Sequence, residues 1–501
     1  MDEIFLATSL VKMNFMELTS PSLDYEQKAP IGFLWMCRLA VLAFGKGEMA
    51  LRLFPLLCGF GTLFLFVPVA RYFLKPLGVV VAVGIMAAAP PIVYHAVEAK
   101  QYSTELFASV LIMLSYIKFH RKMNMRSLLL WGFLGAAILW FSFSSIFILA
   151  GLAFGVCLSY MLRKEWSALL RSIIPFSMWL VSFAVNFFLF TYQHTDSEWL
   201  LYWFRIRDSF MPFPPSSVTD LKWFFKKTFS ILHYPLGLSW VEVSHSYNEV
   251  LRVLARMSLL PLLLLGAGLV AFYRKDKREF AIIVFPVLLT LLASGLTLYP
   301  FMDRLLVFLA PLLILAVALG CERIVNYFPN SAKWRYILPV LLLAGPIANS
   351  MYQVVNTGRF GDYKKSYQVE TLTYINDRYQ EGDVVYIYWN DLVGYRYYKT
   401  VDGYKYEAVQ GKDYRYVAAD KADYYRRLAA DVDALRTSKR VWLVYSNRVW
   451  SNIGDFDGRP AWYYAEDNTR KMLHDKFSAL GTEVDTYLTD EVNVHLFEVR
   501  K

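Results

Sequence analysis

Hydrophobic positions divide the chain into two parts near residue 355. The first part holds nearly all the long apolar runs, and a membrane-crossing helix needs roughly 20 such residues, within a range of about 17–25. The runs predict about ten transmembrane segments, at 53–73, 77–95, 103–119, 127–143, 144–161, 172–191, 252–273, 279–298, 303–320 and 336–354. Ser142, Ser144 and Ser145 interrupt one long run, so we expect a tight hairpin there.

After residue 355 the pattern changes to short helices that alternate with short strands. Helices are predicted at 366–379, 422–436 and 468–480, and strands at 384–388, 440–445, 483–488 and 492–499. This alternation predicts a small, mostly parallel α/β sheet. The tyrosine-rich segment 393–406 is expected to be a loop that binds an acceptor glycan, although a scaffolding or lid role for this domain is at least as compatible with the pattern.

Composition supports an integral membrane protein. Hydrophobic residues make up 56% of the chain and charged residues 19%, against about 45–50% and 25% in soluble domains. The net charge of +10 does not indicate nucleic-acid binding, because the basic residues cluster in short loops between apolar runs. The four cysteines, all in or beside apolar segments, predict neither a disulfide framework nor a metal site.

Basic loops predict the orientation in the membrane. The basic set, expected to be cytoplasmic, comprises Arg71 and Lys75; Lys118, Arg121, Lys122 and Arg126; Arg163 and Lys164; Arg274, Lys275, Lys277 and Arg278; and Arg323, Lys333 and Arg335. Residues 1–50, 95–102, 193–250, 299–303 and everything after 355 then face outward. The expected architecture is a transmembrane domain over 1–355 and an extracytoplasmic α/β domain over 356–501. Because the chain opens outside the membrane, a first helix is expected to be missing upstream.

Charged residues gather on the predicted outer face, although a charge near the bilayer is costly. Sugar transfer from a polyprenyl phosphate needs a carboxylate to accept a proton and cations to hold the departing phosphate. The carboxylate candidates are Asp2, Glu3, Asp24 and Glu26, and the cation candidates are Lys28, Lys100 and Arg304. Glu98, Lys100 and Tyr102 could instead be solvated loop residues and an interfacial anchor.

The ordered set of an early Asp-Glu pair, "YEQKAPIGFLW", "FGKGEMALRLFPLLCGFGTLFLF", "PPIVYHAVEAKQYSTELF" and "YPFMDRLLVFLAPLLILAVALG" resembles a known family. It is similar to the bacterial membrane glycosyltransferases of the GT-C fold, in the group of family 39 that includes protein mannosyltransferase-like and aminoarabinose-transferase-like enzymes. The resemblance covers residues 1–120 and 295–320 and implies a GT-C-like fold of eleven helices.

The resemblance also implies roles for residues. Asp2 would be the catalytic carboxylate with Glu3 beside it, and Lys28 would contact the lipid phosphate. Lys100 and Tyr102 stand where the family often has Arg-x-Tyr, and lysine does not provide bidentate phosphate binding. Arg304 falls on a frequent basic position. The substrate-binding set is therefore Asp24, Glu26, Lys28, Glu98, Lys100, Tyr102 and Arg304.

The function implied is a glycosyltransferase of the cytoplasmic membrane, transferring a hexose or pentose from a polyprenyl-phosphate donor to a glycan, lipid or protein acceptor. No cofactor or metal is expected, and the expected partners are donor, acceptor and membrane lipids. The alternatives are a transporter or flippase of lipid-linked glycans and a ligase or polymerase; a transporter should carry ionisable residues near mid-membrane. Gly59-Phe60-Gly61 is interpreted as a packing feature and Asp455-Phe456-Asp457 as a turn.

Overall fold

The computed structural model describes residues 2–19, 23–191, 198–238, 259–329, 333–362, 366–447, 460–464 and 469–500. The helices of the larger part are α1 (Asp2–Lys12), α2 (Ile31–Phe44), α3 (Glu48–Phe73), α4 (Pro76–Ala88), α5 (Pro90–Ala96), α6 (Tyr102–Phe119), α7 (Met125–Ile138), α8 (Ser145–Leu162), α9 (Trp166–Asn186), α10 (Glu198–Arg205), α11 (Val218–His233), α12 (Leu259–Lys275), α13 (Lys277–Gly295), α14 (Ala310–Val325) and α15 (Ile337–Val355). Asp455 to Asp457 lie outside the described residues.

Each predicted transmembrane segment falls on a helix or a consecutive pair of helices. Among the described residues, 6 helices are long and apolar enough to cross a membrane, or up to 7 when α4 and α5, bent by 55° to each other, count as one span. The remaining predicted segments differ for local reasons. Helix α7 has only 14 residues, Glu105 and Lys118 make α6 more polar, and α12 is described only from Leu259.

Helix α14 forms the centre of the bundle. It is hydrophobic on all sides and buried along nearly its whole length, as expected for a helix that other helices surround. Helix α12 crosses it with backbones in direct contact, because a Cβ atom on Gly268 would overlap the carbonyl of Ala316 and one on Gly320 would overlap that of Leu264. Glycine permits this approach, as in other helix pairs within membranes.

Two local predictions have different outcomes. Helices α7 and α8 are connected by a short turn, but α7 packs mainly on α9 and α8 on α13, so the tight hairpin is wrong. Those neighbours offer larger contact faces. On α9, for example, the Trp179 ring lies against Gly135 of α7. The packing interpretation of Gly59 and Gly61 is confirmed, since added Cβ atoms would lie 2.7 Å from Ala96 Cβ and 2.6 Å from the Phe107 ring, respectively.

The described part of the C-terminal domain contains one five-stranded sheet and its covering helices. They are α16 (Gln368–Arg378), β1 (Val384–Ile387), α17 (Leu392–Asp402), β2 (Ala408–Gln410), α18 (Lys421–Asp433), β3 (Arg440–Ser446), α19 (Ala461–Tyr464), α20 (Thr469–Ser478), β4 (Gly481–Leu488) and β5 (Val492–Val499). The strand order is β2-β1-β3-β5-β4.

The sheet is mixed, so the expectation of a mostly parallel sheet is wrong. Strand β1 pairs parallel with β2 and β3, whereas β5 pairs antiparallel with β3 and β4. A parallel connection needs a crossover of about a dozen residues or more, and only residues 489–491 connect β4 to β5. Those two strands can therefore form only a hairpin.

The tyrosine-rich segment is mainly a helix, α17, and not the predicted loop. Leu392, Tyr395 and Tyr398 lie at helical spacing on its buried face. Gly403, with a left-handed φ of 65°, ends the helix, the usual role of glycine at that position. Tyr404 and Tyr406 beyond it are buried with stacked rings. These aromatic rings lie in the core of the domain, so they are not exposed for the glycan binding that was expected of this segment.

A buried carboxyl group in this domain generates a pH prediction. Asp391, 1% exposed, accepts a hydrogen bond from the Gln368 amide. Burial, opposed in part by that bond and assisted by the charge of Glu491, raises the pKa of Asp391 to about 8. An unfolded chain has an aspartate pKa of about 3.9, so the folded state binds the additional proton between these values, and stability falls as pH rises through that window.

We therefore expect the melting temperature of the full chain in detergent to decrease as the pH is raised from about 5 to about 9, a range that includes the pKa of Asp391. Asp391→Asn should flatten this dependence, because asparagine resembles the neutral acid. Exposed Asp377 on α16 supplies the control, Asp377→Asn. Equal pH dependence in Asp391→Asn and the native chain would contradict the assignment.

Candidate active site

The turn between α5 and α6 contains two buried charges. Glu98 is 6% exposed and Lys100 is 7% exposed. Ionised side chains are rarely buried this far unless they are paired, because an unpaired buried charge loses its hydration without compensation. The groups around these two residues therefore define the site.

Glu98 is held by side chains from the last turn of α5. His95 Nδ1 lies 2.8 Å from Glu98 Oε2, and the Tyr94 hydroxyl donates to Oε1 at 3.4 Å. The other ring nitrogen of His95 contacts the Tyr234 hydroxyl, just beyond α11. Burial raises the pKa of Glu98, but the hydrogen bond and charge of His95 and the charges of Arg304 and Lys100 outweigh it and leave that pKa below its ordinary value. Glu98 is therefore a carboxylate at neutral pH.

Two cations on different segments lie near enough to lower the pKa of this carboxylate. Lys100 Nζ donates to Gln27 Oε1 at 2.6 Å, which joins the turn to the segment before α2. The Arg304 guanidinium lies 5.7 Å from the centroid of the Tyr102 ring, in cation–π range. Tyr102 in turn packs on His95, with ring centroids 4.8 Å apart. Arg304 belongs to a short 3₁₀ segment, Asp303–Leu309, that leads into α14.

Glu3, near the start of α1, joins the same turn from another direction. Its carboxylate accepts hydrogen bonds from Arg52 Nε at 2.8 Å and Nη2 at 3.0 Å, and from the Ala99 backbone N–H at 2.8 Å. Arg52 also pairs with Glu48 at 3.0 Å, and Glu48 accepts a hydrogen bond from Tyr398 at 2.6 Å. This series of contacts, here called the Glu3–Tyr398 network, connects the turn with α1, α3 and the C-terminal domain.

The segment before α2 has an unusual backbone. Tyr25 has a φ of 58°, which is uncommon for a residue other than glycine, and its ring packs on Phe5 at 4.7 Å between centroids. The Asp24 backbone N–H donates to Ser9 Oγ at 2.9 Å. These contacts with α1 place Gln27 where it meets Lys100.

The structure brings most of the predicted residues together. One cluster contains Glu98, Lys100, Tyr102 and Arg304, and Glu3 joins it through the Ala99 backbone. Asp24 and Lys28 lie on the segment that reaches the cluster through Gln27. Asp2 belongs to α1 and Glu26 to a 3₁₀ turn, Asp24–Glu26, but the side chains of Asp2 and Glu26 lie outside the described residues. We call this assembly the outer cluster.

Sequence reasoning missed several participants, among them Gln27, Arg52, His95 and Tyr234. Two had a local signal, since His95 stands three residues before Glu98 and Arg52 four residues after Glu48, spacings at which helical side chains meet. Gln27 and Tyr234 had none. Tyr234 lies 139 residues from His95 in the chain, so only the tertiary fold places it there.

The apolar helical bundle followed by an α/β domain is a GT-C-like fold that this chain shares with a solved membrane protein. Across 99% of its length the chain superposes on 93% of ArnT, the aminoarabinose transferase of Cupriavidus metallidurans, solved with undecaprenyl phosphate, with a TM-score of 0.53 and 11% identity. This likeness shows the fold. No family model matches the chain, and no curated protein matches it significantly.

Two weaker similarities involve Archaeoglobus fulgidus. Its oligosaccharyltransferase with zinc and sulfate gives a TM-score of 0.49 and 10% identity over 89% of this chain and 63% of that one. The AglB complex with an inhibitory peptide and a dolichol-phosphate gives 0.45 and 11%, over 89% and 65%. Both scores are too low to support a conclusion.

The Glu3–Tyr398 network generates a stability prediction. Arg52→Ala removes three charge-assisted contacts, each worth roughly 1.5–3 kcal/mol when shielded from water. The Arg52 side chain is 36% exposed, and solvent weakens such contacts. We therefore expect the three contacts together to contribute to the free energy of unfolding an amount near the lower end of the range for a single contact. Thermal unfolding of the full chain in detergent measures it. Arg71→Ala, an exposed arginine on the same helix, should leave the melting temperature unchanged, and an equal effect of both substitutions would contradict the prediction.

Proposed function

We propose that the protein transfers a sugar from a polyprenyl-phosphate-linked donor to an acceptor at the outer face of the cytoplasmic membrane, with the C-terminal domain on that side. The observation that carries the proposal is the burial of Lys100 beside Glu98, with Arg304 within electrostatic range of the same carboxylate. The GT-C fold supports the same chemistry. The sugar would be a hexose or pentose, and the acceptor a glycan, lipid or protein.

The cations stabilise the departing lipid phosphate. Negative charge on that group increases as the glycosidic bond breaks, and preorganised positive groups lower the energy of this state. Lys100 and Arg304 are held in place by Gln27 and Tyr102 before any substrate arrives. Lys28, on the segment that carries Gln27, would bind the phosphate during the approach of the donor. Glu98 is a positioning residue that keeps both cations near the turn.

A carboxylate at the start of α1 accepts the proton of the acceptor. Asp2 has this role in the proposal, as the family resemblance implies. The Glu3 carboxylate is already bound by Arg52 and the Ala99 N–H, so its part is to position the turn relative to α1. Asp24 and Glu26 would contact the sugar or acceptor beside it.

Substituting the cations tests the phosphate-binding step. Lys100→Ala should reduce transfer from a labelled polyprenyl-phosphate sugar by about 10²–10³ in kcat, the typical loss of one preorganised donor. Arg304→Lys should retain partial activity, because it keeps the charge and loses the planar guanidinium. Lys122→Ala and Arg163→Lys, at exposed positions of other loops, serve as controls. Wild-type rates in both cluster variants would overturn the proposal.

Substituting the carboxylate tests the proton acceptor separately. Asp2→Asn should lower transfer by about 10²–10⁴, the usual contribution of general base catalysis, with little change in binding of the polyprenyl phosphate. Glu3→Gln should lower the melting temperature as well as the rate, because it weakens the pairing with Arg52. Undiminished transfer in Asp2→Asn would refute the assignment of the base and leave the role of the cations intact.

A further inference from the structure

Three potential metal ligands converge at the edge of the C-terminal sheet that β4 forms. His474 lies on α20, Glu483 on β4 and His495 on β5. His474 Nε2 is 2.9 Å from Glu483 Oε2, and His495 Nδ1 is 2.6 Å from Oε1. One ligand atom from each residue falls within 4.8 Å of the others. The three residues come from separate elements, so no short sequence motif marks them.

Hydrogen bonds orient both imidazoles toward this point. The outer nitrogen of His495, Nε2, lies 3.3 Å from the Tyr445 hydroxyl, and the outer nitrogen of His474, Nδ1, lies 3.4 Å from Ser478 Oγ. The inner nitrogen of each ring therefore faces Glu483. Histidines that bind metals commonly hold their second nitrogen in this way, which fixes the tautomer and the direction of the ligating atom.

We propose that His474, Glu483 and His495 bind one divalent transition-metal ion, with zinc the best fit. Two imidazoles and a carboxylate form a known zinc ligand set, in which water or another ligand completes the coordination. Imidazole ligands favour zinc over magnesium or calcium, which prefer oxygen. Binding would replace the two histidine–glutamate hydrogen bonds with metal–ligand bonds. The proposal concerns the C-terminal domain and does not depend on the sugar transfer proposed above.

Cobalt provides the test, because bound Co²⁺ absorbs visible light with an intensity that reports its geometry. Titration of the metal-stripped full chain in detergent should saturate at one Co²⁺ per chain, and Zn²⁺ should displace it. Glu483→Gln and His474→Ala should each weaken Co²⁺ binding at least tenfold, and Tyr445→Phe by about tenfold, the loss expected for an outer partner.

Glu498→Gln, which removes an exposed carboxylate from β5, is the matched control and should bind Co²⁺ like the native chain. Absence of saturable binding to the native chain would show that the three residues form a hydrogen-bonded cluster only. Native-like binding in Glu483→Gln and His474→Ala would place the metal elsewhere. Either result overturns the proposal, and the native titration decides even where a variant fails to fold.

Discussion

The burial of Glu98 and Lys100 is the constraint on which the end of the bundle around the α5–α6 turn depends. A buried charge without compensating partners is costly, so the surrounding segments must keep their groups in place. Those groups come from distant parts of the sequence: Gln27 before α2, Arg304 before α14 and, through His95, Tyr234 after α11. Satisfying the two charges therefore fixes how three otherwise separate segments meet.

The Glu3–Tyr398 network extends this constraint to the C-terminal domain. Helices α1 and α2 share one apolar core with the sheet and its helices; this core includes Leu10 and Phe33 from the two helices and Tyr386 and Leu443 from the sheet. Apolar packing has no preferred direction, and it would tolerate small shifts of the domain. The polar contacts are directional, and they tie Tyr398 through Arg52 to the Ala99 backbone, adjacent to Glu98. Position in the domain and geometry in the turn are thereby coupled.

Sequence patterns predict the parts of this structure that follow from local physics. Span-length apolar runs predicted helices α3 to α9 and α12 to α15, but not α1, α2, α10 or α11, and short periodic segments predicted α16, α18, β1 and β3. Strand order was not predictable, since it depends on which sheet edge remains open, although the short gap between the predicted strands 483–488 and 492–499 already required an antiparallel hairpin. The site showed the same division. The sequence identified charged residues beside apolar segments, such as Glu98 and Lys100. It did not identify Tyr234, because no local pattern distinguishes a single tyrosine in a loop.

The buried tyrosines determine what the C-terminal domain contributes. A sugar-binding aromatic must present a ring face to solvent, but Tyr388, Tyr424 and Tyr463 direct their hydroxyls at one another inside the domain. The Tyr398 side chain is also buried, and its hydroxyl donates a hydrogen bond to Glu48. These residues provide rigid packing and one directional link to the bundle. A domain built in this way acts on the outer cluster by holding Arg52 and the start of α1 in position, which favours the scaffolding alternative over direct glycan binding by the tyrosine-rich segment.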